Sequence, residues 1–136
     1  MATLKPLYGA KTAITITLDS LAANSIATSD AIDNSTNLYQ DFLIEAIIAG
    51  TAAANAFCEV RLLGSEDNTN FGNWESGIPL GNVNLSATPN TGHFSLLNAL
   101  YQAPKYFKIA VKNSTGAALA ASGNSASYQG ENITSV

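Results

Sequence analysis

Apolar residues that recur at every second position constrain this chain more than any other feature. In "TAITITL", residues 12–18, Ile14, Ile16 and Leu18 fall on one face and Thr15 and Thr17 on the other, the period of a half-buried strand. "KYFKIAVK" sets Phe107, Ile109 and Val111 against Tyr106, Lys108 and Lys112 in the same way. In "QDFLIEAIIAG" Phe42, Ile44, Ala46 and Ile48 alternate with Leu43, Glu45 and Ile47, so the strand is apolar on most of both faces and belongs inside a sheet or under cover on two sides. "AFCEVRLLG" suits another strand, and the intervening "TAAAN" has hairpin length. Helical periodicity is almost lacking. Short strands separated by turn signals predict an all-β fold, a single-domain β-sandwich or jelly-roll-like barrel.

The remaining stretches are less regular. Asp, Asn and Ser crowd residues 19–37, which read as a turn near 19–25, a short strand near 26–32 and a loop through Asn37. Residues 64–92 hold Gly, Pro, Asn and Ser with little period, a long loop region that carries Trp74 and Phe71, with Ile78, Leu80, Val83 and Leu85 available to anchor short strands. "NSTG" reads as a hairpin turn into "AALAAS", and "SASYQGENITSV" as a last strand with a bulge at Gly130.

Ahead of the first alternating run lies "MATLKPLYGAK", apolar but without a period. It divides the chain into an N-terminal arm, residues 1–11, and a β domain, residues 12–136. Apolar segments that do not serve their own core often serve a neighbour's. Leu4, Pro6, Leu7 and Tyr8 are therefore the candidate interface residues. The plainer possibility is that the arm covers an edge of its own sheet.

Charge narrows the partners. Only 12% of the residues are charged, about half the usual share of roughly 25%. A polar surface with few ions is cheap to cover, since interface centres are depleted in charge. It equally fits a polar surface with no partner. A net charge of −4 with six scattered Lys and Arg argues against nucleic acid, whose phosphates demand clustered cations. No apolar run approaches the 18 or so residues of a membrane-spanning helix, and the N-terminus lacks the pattern of a signal peptide.

Motifs for chemistry are few. The single Cys58 cannot form an internal disulfide, and with His93 the only imidazole neither a zinc site nor a redox pair can be assembled. Cys58 shares a strand face with Val60 and Leu62, the position of a buried thiol. His93 has no nucleophile motif beside it, so no catalytic residue, metal or cofactor is assigned. Glu45 and Glu59, if on adjoining strands, could form a carboxylate pair, although Glu59 and Arg61 also suit an ordinary ion pair. "SEDNTN" offers oxygen ligands but departs from the calcium-loop pattern, and "SGIPLGN" lacks the Lys-Ser/Thr ending of a phosphate loop. Four Asn-x-Ser/Thr sequons, at Asn34, Asn84, Asn113 and Asn132, are what chance yields in so Asn-rich a chain. Trp74 and Phe71 are candidate loop contacts, which with Tyr101 could form a stacking platform for a sugar or fold back on the sandwich.

Taken together, "MATLKPLYGAKTAITITLDSLA", "KYFKIAVKNSTGAALAASGN" and "SASYQGENITS" resemble small virion structural proteins of tailed bacteriophages, in particular head decoration or cement proteins, over nearly the whole length. The resemblance implies a jelly-roll or related β-fold and a homo-dimer or homo-trimer. It further implies made-in-cytoplasm copies that bind the outer face of the major capsid protein lattice, without catalysis, cofactor or membrane. The other class open to such a chain is a tail or baseplate component, or a fibre-type carbohydrate binder using Trp74.

Overall fold

The computed structural model describes residues 3–98 and 103–135. In the first sheet β1 (Leu4–Tyr8) and β2 (Thr12–Ala13) lie one after the other along one side of β10 (Ser125–Ser135). The other side of β10 takes β5 (Asp41–Ile48), and β5 takes β8 (Asn90–Ser95). In the second sheet β3 (Ile26–Thr28) and β4 (Ile32–Asp33) share one side of β9 (Tyr106–Asn113), followed by β6 (Phe57–Ser65) and β7 (Ile78–Asn84). Every pairing is antiparallel. With each interrupted strand counted once, the chain changes sheet at every connection except β6 to β7. That order is a jelly roll, two Greek keys folded face to face.

The two-residue period explains why. Phe42, Ile44, Ala46 and Ile48 of β5 point inward against Cys58, Val60 and Leu62 of β6 and Phe107, Ile109 and Val111 of β9, all of them buried. Phe42 is the hub: Tyr39, Phe107 and Tyr128 meet its ring edge-on at 5.5, 5.0 and 5.6 Å between centroids. Gly9 and Gly130 lie directly under the Tyr39 ring, where neither position has room for a Cβ.

The structure corrects several local expectations. "TAAAN" does not close a hairpin, because β5 and β6 belong to different sheets and the segment carries the chain across the sandwich. "NSTG" likewise leads out of β9 to the facing sheet. The amide of buried Asn113 shapes that crossing, with Nδ2 donating to the carbonyls of Leu21 (2.9 Å) and Ala117 (2.8 Å) and Oδ1 accepting from Thr115. β10 runs through Gly130 without a bulge, its register with β5 unbroken from Ser125 to Glu131. The irregularity sits in β6 and β7 instead, between Val60 and Arg61, opposite Leu80 and Gly81.

Of residues 12–18 only Thr12–Ala13 pair as a strand. The alternation still holds, with Ile14 and Leu18 buried, but the backbone departs from β10 as Asp30 N–H donates to the Thr15 carbonyl at 2.9 Å. The short strand near 26–32 is split into β3 and β4, and the irregular 64–92 region holds a shorter loop, residues 66–77, followed by β7 and the start of β8.

Candidate functional site

The N-terminal segment is an edge strand with little beneath it. β1 pairs with the last five residues of β10, from Leu4 with Ser135 to Tyr8 with Glu131. β10 parts from β5 at the pair Glu131 and Asp41, so beyond that point β1 and β10 form a two-stranded ribbon. Every residue of β1 is exposed. Leu4 is 69% accessible, Tyr8 59%, Ile133 57% and Leu7 51%.

Strand alternation sorts these side chains. Leu4, Pro6 and Tyr8 share a face with Ile133 and Glu131, and Leu4, Lys5, Pro6, Glu131 and Ile133 line one shallow depression. Leu7 takes the opposite side with its partner Asn132, whose Nδ2 donates to the carbonyl of exposed Leu38 at 3.3 Å. The four candidate interface residues are thus brought together in sequence and divided between two faces. Ile133 joins them through the register of β1 on β10 and Leu38 through its hydrogen bond to Asn132, and both were missed because neither contact is local in sequence. A free two-stranded ribbon is marginal in water, so one with large apolar groups on both faces calls for cover.

The ribbon's outer edge is blunted. Gly9 N–H donates to Gly130 O at 2.8 Å, so in this antiparallel pair Gly9, Leu7 and Lys5 turn their backbone groups toward β10, and Tyr8, Pro6 and Leu4 turn theirs outward. Pro6, which has no N–H, occupies the middle of the open side.

Residues 66–77 lie across the outer face of the second sheet. The Arg61 guanidinium sits 4.4 Å from the Trp74 ring centroid and donates from Nη1 to the Trp74 carbonyl at 2.7 Å, while Nε meets Glu59 Oε1 at 3.0 Å. The Lys108 ammonium lies 4.5 Å from the Phe71 ring centroid. Each aromatic already has a cation on one face. Tyr101 lies outside the described residues. Asp67 closes the start of this loop by accepting from Asn70, Thr69 and Ser65, and those donors, Asn70 first, hold its carboxyl well below the usual carboxylate range.

On the outer face of the first sheet Glu45 stands between two bases. Lys11 Nζ is 2.9 Å from Oε1 and His93 Nε2 3.0 Å from Oε2, and these partners, Lys11 first, lower the Glu45 pKa. Ser127 lines the same depression, but as the register partner of Glu45 on β10 it lies on the far side of β5 from His93. Glu45, not the imidazole, occupies the middle of the row, which is the wrong order for a Ser-His-acid relay. Glu59 is on the outer face of the other sheet, so the two carboxylates considered from sequence never meet.

Cys58 is wholly buried, and burial pushes its thiol up to about 11. The sequon residues Asn34 and Asn113 are buried with their Nδ2 groups donating to backbone carbonyls. Among the described residues no group of three or more His, Cys, Asp or Glu could hold a metal ion, and no helix is long and apolar enough to cross a membrane.

The strand order defines the class, a jelly-roll sandwich. A solved structure of Desmodium yellow mottle tymovirus is similar to it, at 15% sequence identity and a TM-score of 0.43, over 99% of this chain and 88% of that one. No protein-family model matches the chain, and no curated protein matches it.

Proposed function

We propose that this chain is a non-enzymatic virion structural protein of the head decoration or cement kind, which binds the outer surface of an assembled lattice of major capsid protein. The observation that carries this reading is the ribbon of β1 and the end of β10, which exposes Leu4, Pro6, Tyr8 and Ile133 on one face and Leu7 on the other and extends past the strands that could cover it. The jelly roll is compatible with it, since viral coat domains, lectins and cupins all use this architecture, and a fold alone does not choose among them.

Area decides how such a ribbon can act. Five residues at about 3.4 Å each and two strands about 5 Å apart give a face of roughly 170 Å², against roughly 800 Å² per partner in a stable pairwise complex. One ribbon is a weak contact. It becomes a strong one where further contacts by the same copy, or by associated copies, act together on a repeating surface. A protein that binds the assembled lattice and not its separate subunits stabilises the lattice by mass action.

The test is the number of copies per particle, from quantitative mass spectrometry of purified virions with the major capsid protein as internal standard. A count in the hundreds is expected. A few copies would assign the chain to the tail or a fibre, and its absence would refute a virion role.

A further inference from the structure

Each sheet of a jelly roll has two edges, and three of the four here are closed to further strands. β1 presents Pro6. β7 carries Pro79 and the bulge opposite Val60 and Arg61. The β3 and β4 edge is only three and two residues long, and between them Ser29 N–H and Asp30 N–H are spent on the carbonyls of Ile109 and Thr15. Short strands, prolines and bulges are the usual means of preventing sheet extension.

β8 has none of these. Its six residues, "NTGHFS", contain neither proline nor bulge. The direction of its free groups follows from the ladder. Gly130 O and Ala126 O accept from Gly9 and Ile14, so even-numbered residues of β10 face β1 and β2, and odd-numbered ones face β5. Through the registers of β10 on β5 and β5 on β8, Asn90, Gly92 and Phe94 then bond to β5, and Thr91, His93 and Ser95 turn their backbone outward. Thr91 N–H is held by the Asn90 side chain at 2.9 Å. Among the described residues the peptide groups of His93 and Ser95 have no backbone partner on that side.

We infer that β8 is a self-association edge, on which a second copy of this chain pairs its own β8 antiparallel about a two-fold axis at His93, joining the two first sheets into one. The spacing is self-complementary. His93 exchanges both ladder bonds with its counterpart, and Ser95 N–H donates to the Thr91 carbonyl of the second copy, which leaves the Asn90 contact intact. A closed two-fold pairing uses the same edge twice and offers no third. It leaves both ribbons free, so a dimer would present two weak lattice contacts at once. This deepens the reading of the chain as an assembly subunit, yet it is tested without capsids, so either can fail alone.

Sedimentation of the purified full chain from ~10 μM to ~1 mM, the range in which weak pairs form, should show a shift from one chain mass to two. His93→Pro removes an N–H that has no partner among the described residues of the single copy, and this variant, with its folded state checked by circular dichroism, should remain single throughout. A wild type that stays single at ~1 mM overturns the inference, as does a dimer undiminished in folded His93→Pro. Should that variant fail to fold, amide exchange of the wild type decides. His93 and Ser95 amides should slow with rising concentration while Tyr8 does not, and equal behaviour of the three overturns it.

Discussion

The two halves of β10 belong to one strand and have opposite surroundings. From Ser125 to Gly130 it lies between β5 and the β2 side, with Ala126, Ser127 and Gly130 buried and Tyr128 against Phe42. Beyond Glu131, which still pairs with Asp41 and accepts from Gln40 N–H, its one strand neighbour among the described residues is β1, and Ile133 stands in solvent. Hydrogen bonding continues across the boundary, whereas burial falls from full at Gly130 to partial at Glu131 and Asn132 and is lost at Ile133. The difference teaches that the ladder sets the shape of the ribbon but the core does not require its side chains, which leaves them available to a partner.

That contrast can be broken or sharpened by substitution. The largest effect belongs to the inner half's surroundings: Phe42→Ala removes the ring on which Tyr39, Phe107 and Tyr128 converge and should cost about 3–5 kcal/mol in urea unfolding. At the boundary, Gly130→Ala drives a methyl group into Tyr39 and should cost roughly 1–3 kcal/mol, with part of the loss recovered when Tyr39 is also reduced to Ala. A small loss would mean that the base of the ribbon shifts freely.

A weaker effect concerns Lys11, which ties the segment between β1 and β2 to Glu45. Because the folded state lowers the Glu45 pKa, the stabilisation is complete above the ordinary value of 4.5 and is lost as pH falls below it. Lys11 keeps 63% of its side chain exposed, so the pair is screened by solvent and less than about 1 kcal/mol is at stake. Glu45→Gln should flatten that part of the stability profile, and an unchanged profile would show that the tether contributes nothing.

Much of the body was legible because strand alternation is local. Phe42 to Ile48 and Phe107 to Val111 announce their buried faces in a few residues, and the all-β, jelly-roll-like expectation follows from them. Which strands pair is not local. A five-residue connection suits a hairpin or a crossing equally well, and only the interior packing, with Asn113 holding its turn by buried hydrogen bonds, sends the chain to the other sheet. The candidate surface was half legible: unpatterned Leu4 to Tyr8 stood out, but Ile133 joins it through the register of β1 on β10 and Leu38 through the Asn132 side chain. Glu45 and His93, 48 residues apart, meet for the same reason.

The most direct test of the ribbon is co-sedimentation of the double variant Leu4→Ser, Ile133→Ser with purified heads stripped of this chain. Both residues are exposed, so the variant should unfold within about 0.5 kcal/mol of the wild type. It should nevertheless remain in the supernatant at concentrations where the wild type pellets with the heads. A variant that keeps its stability and binds heads as well as the wild type would contradict the account.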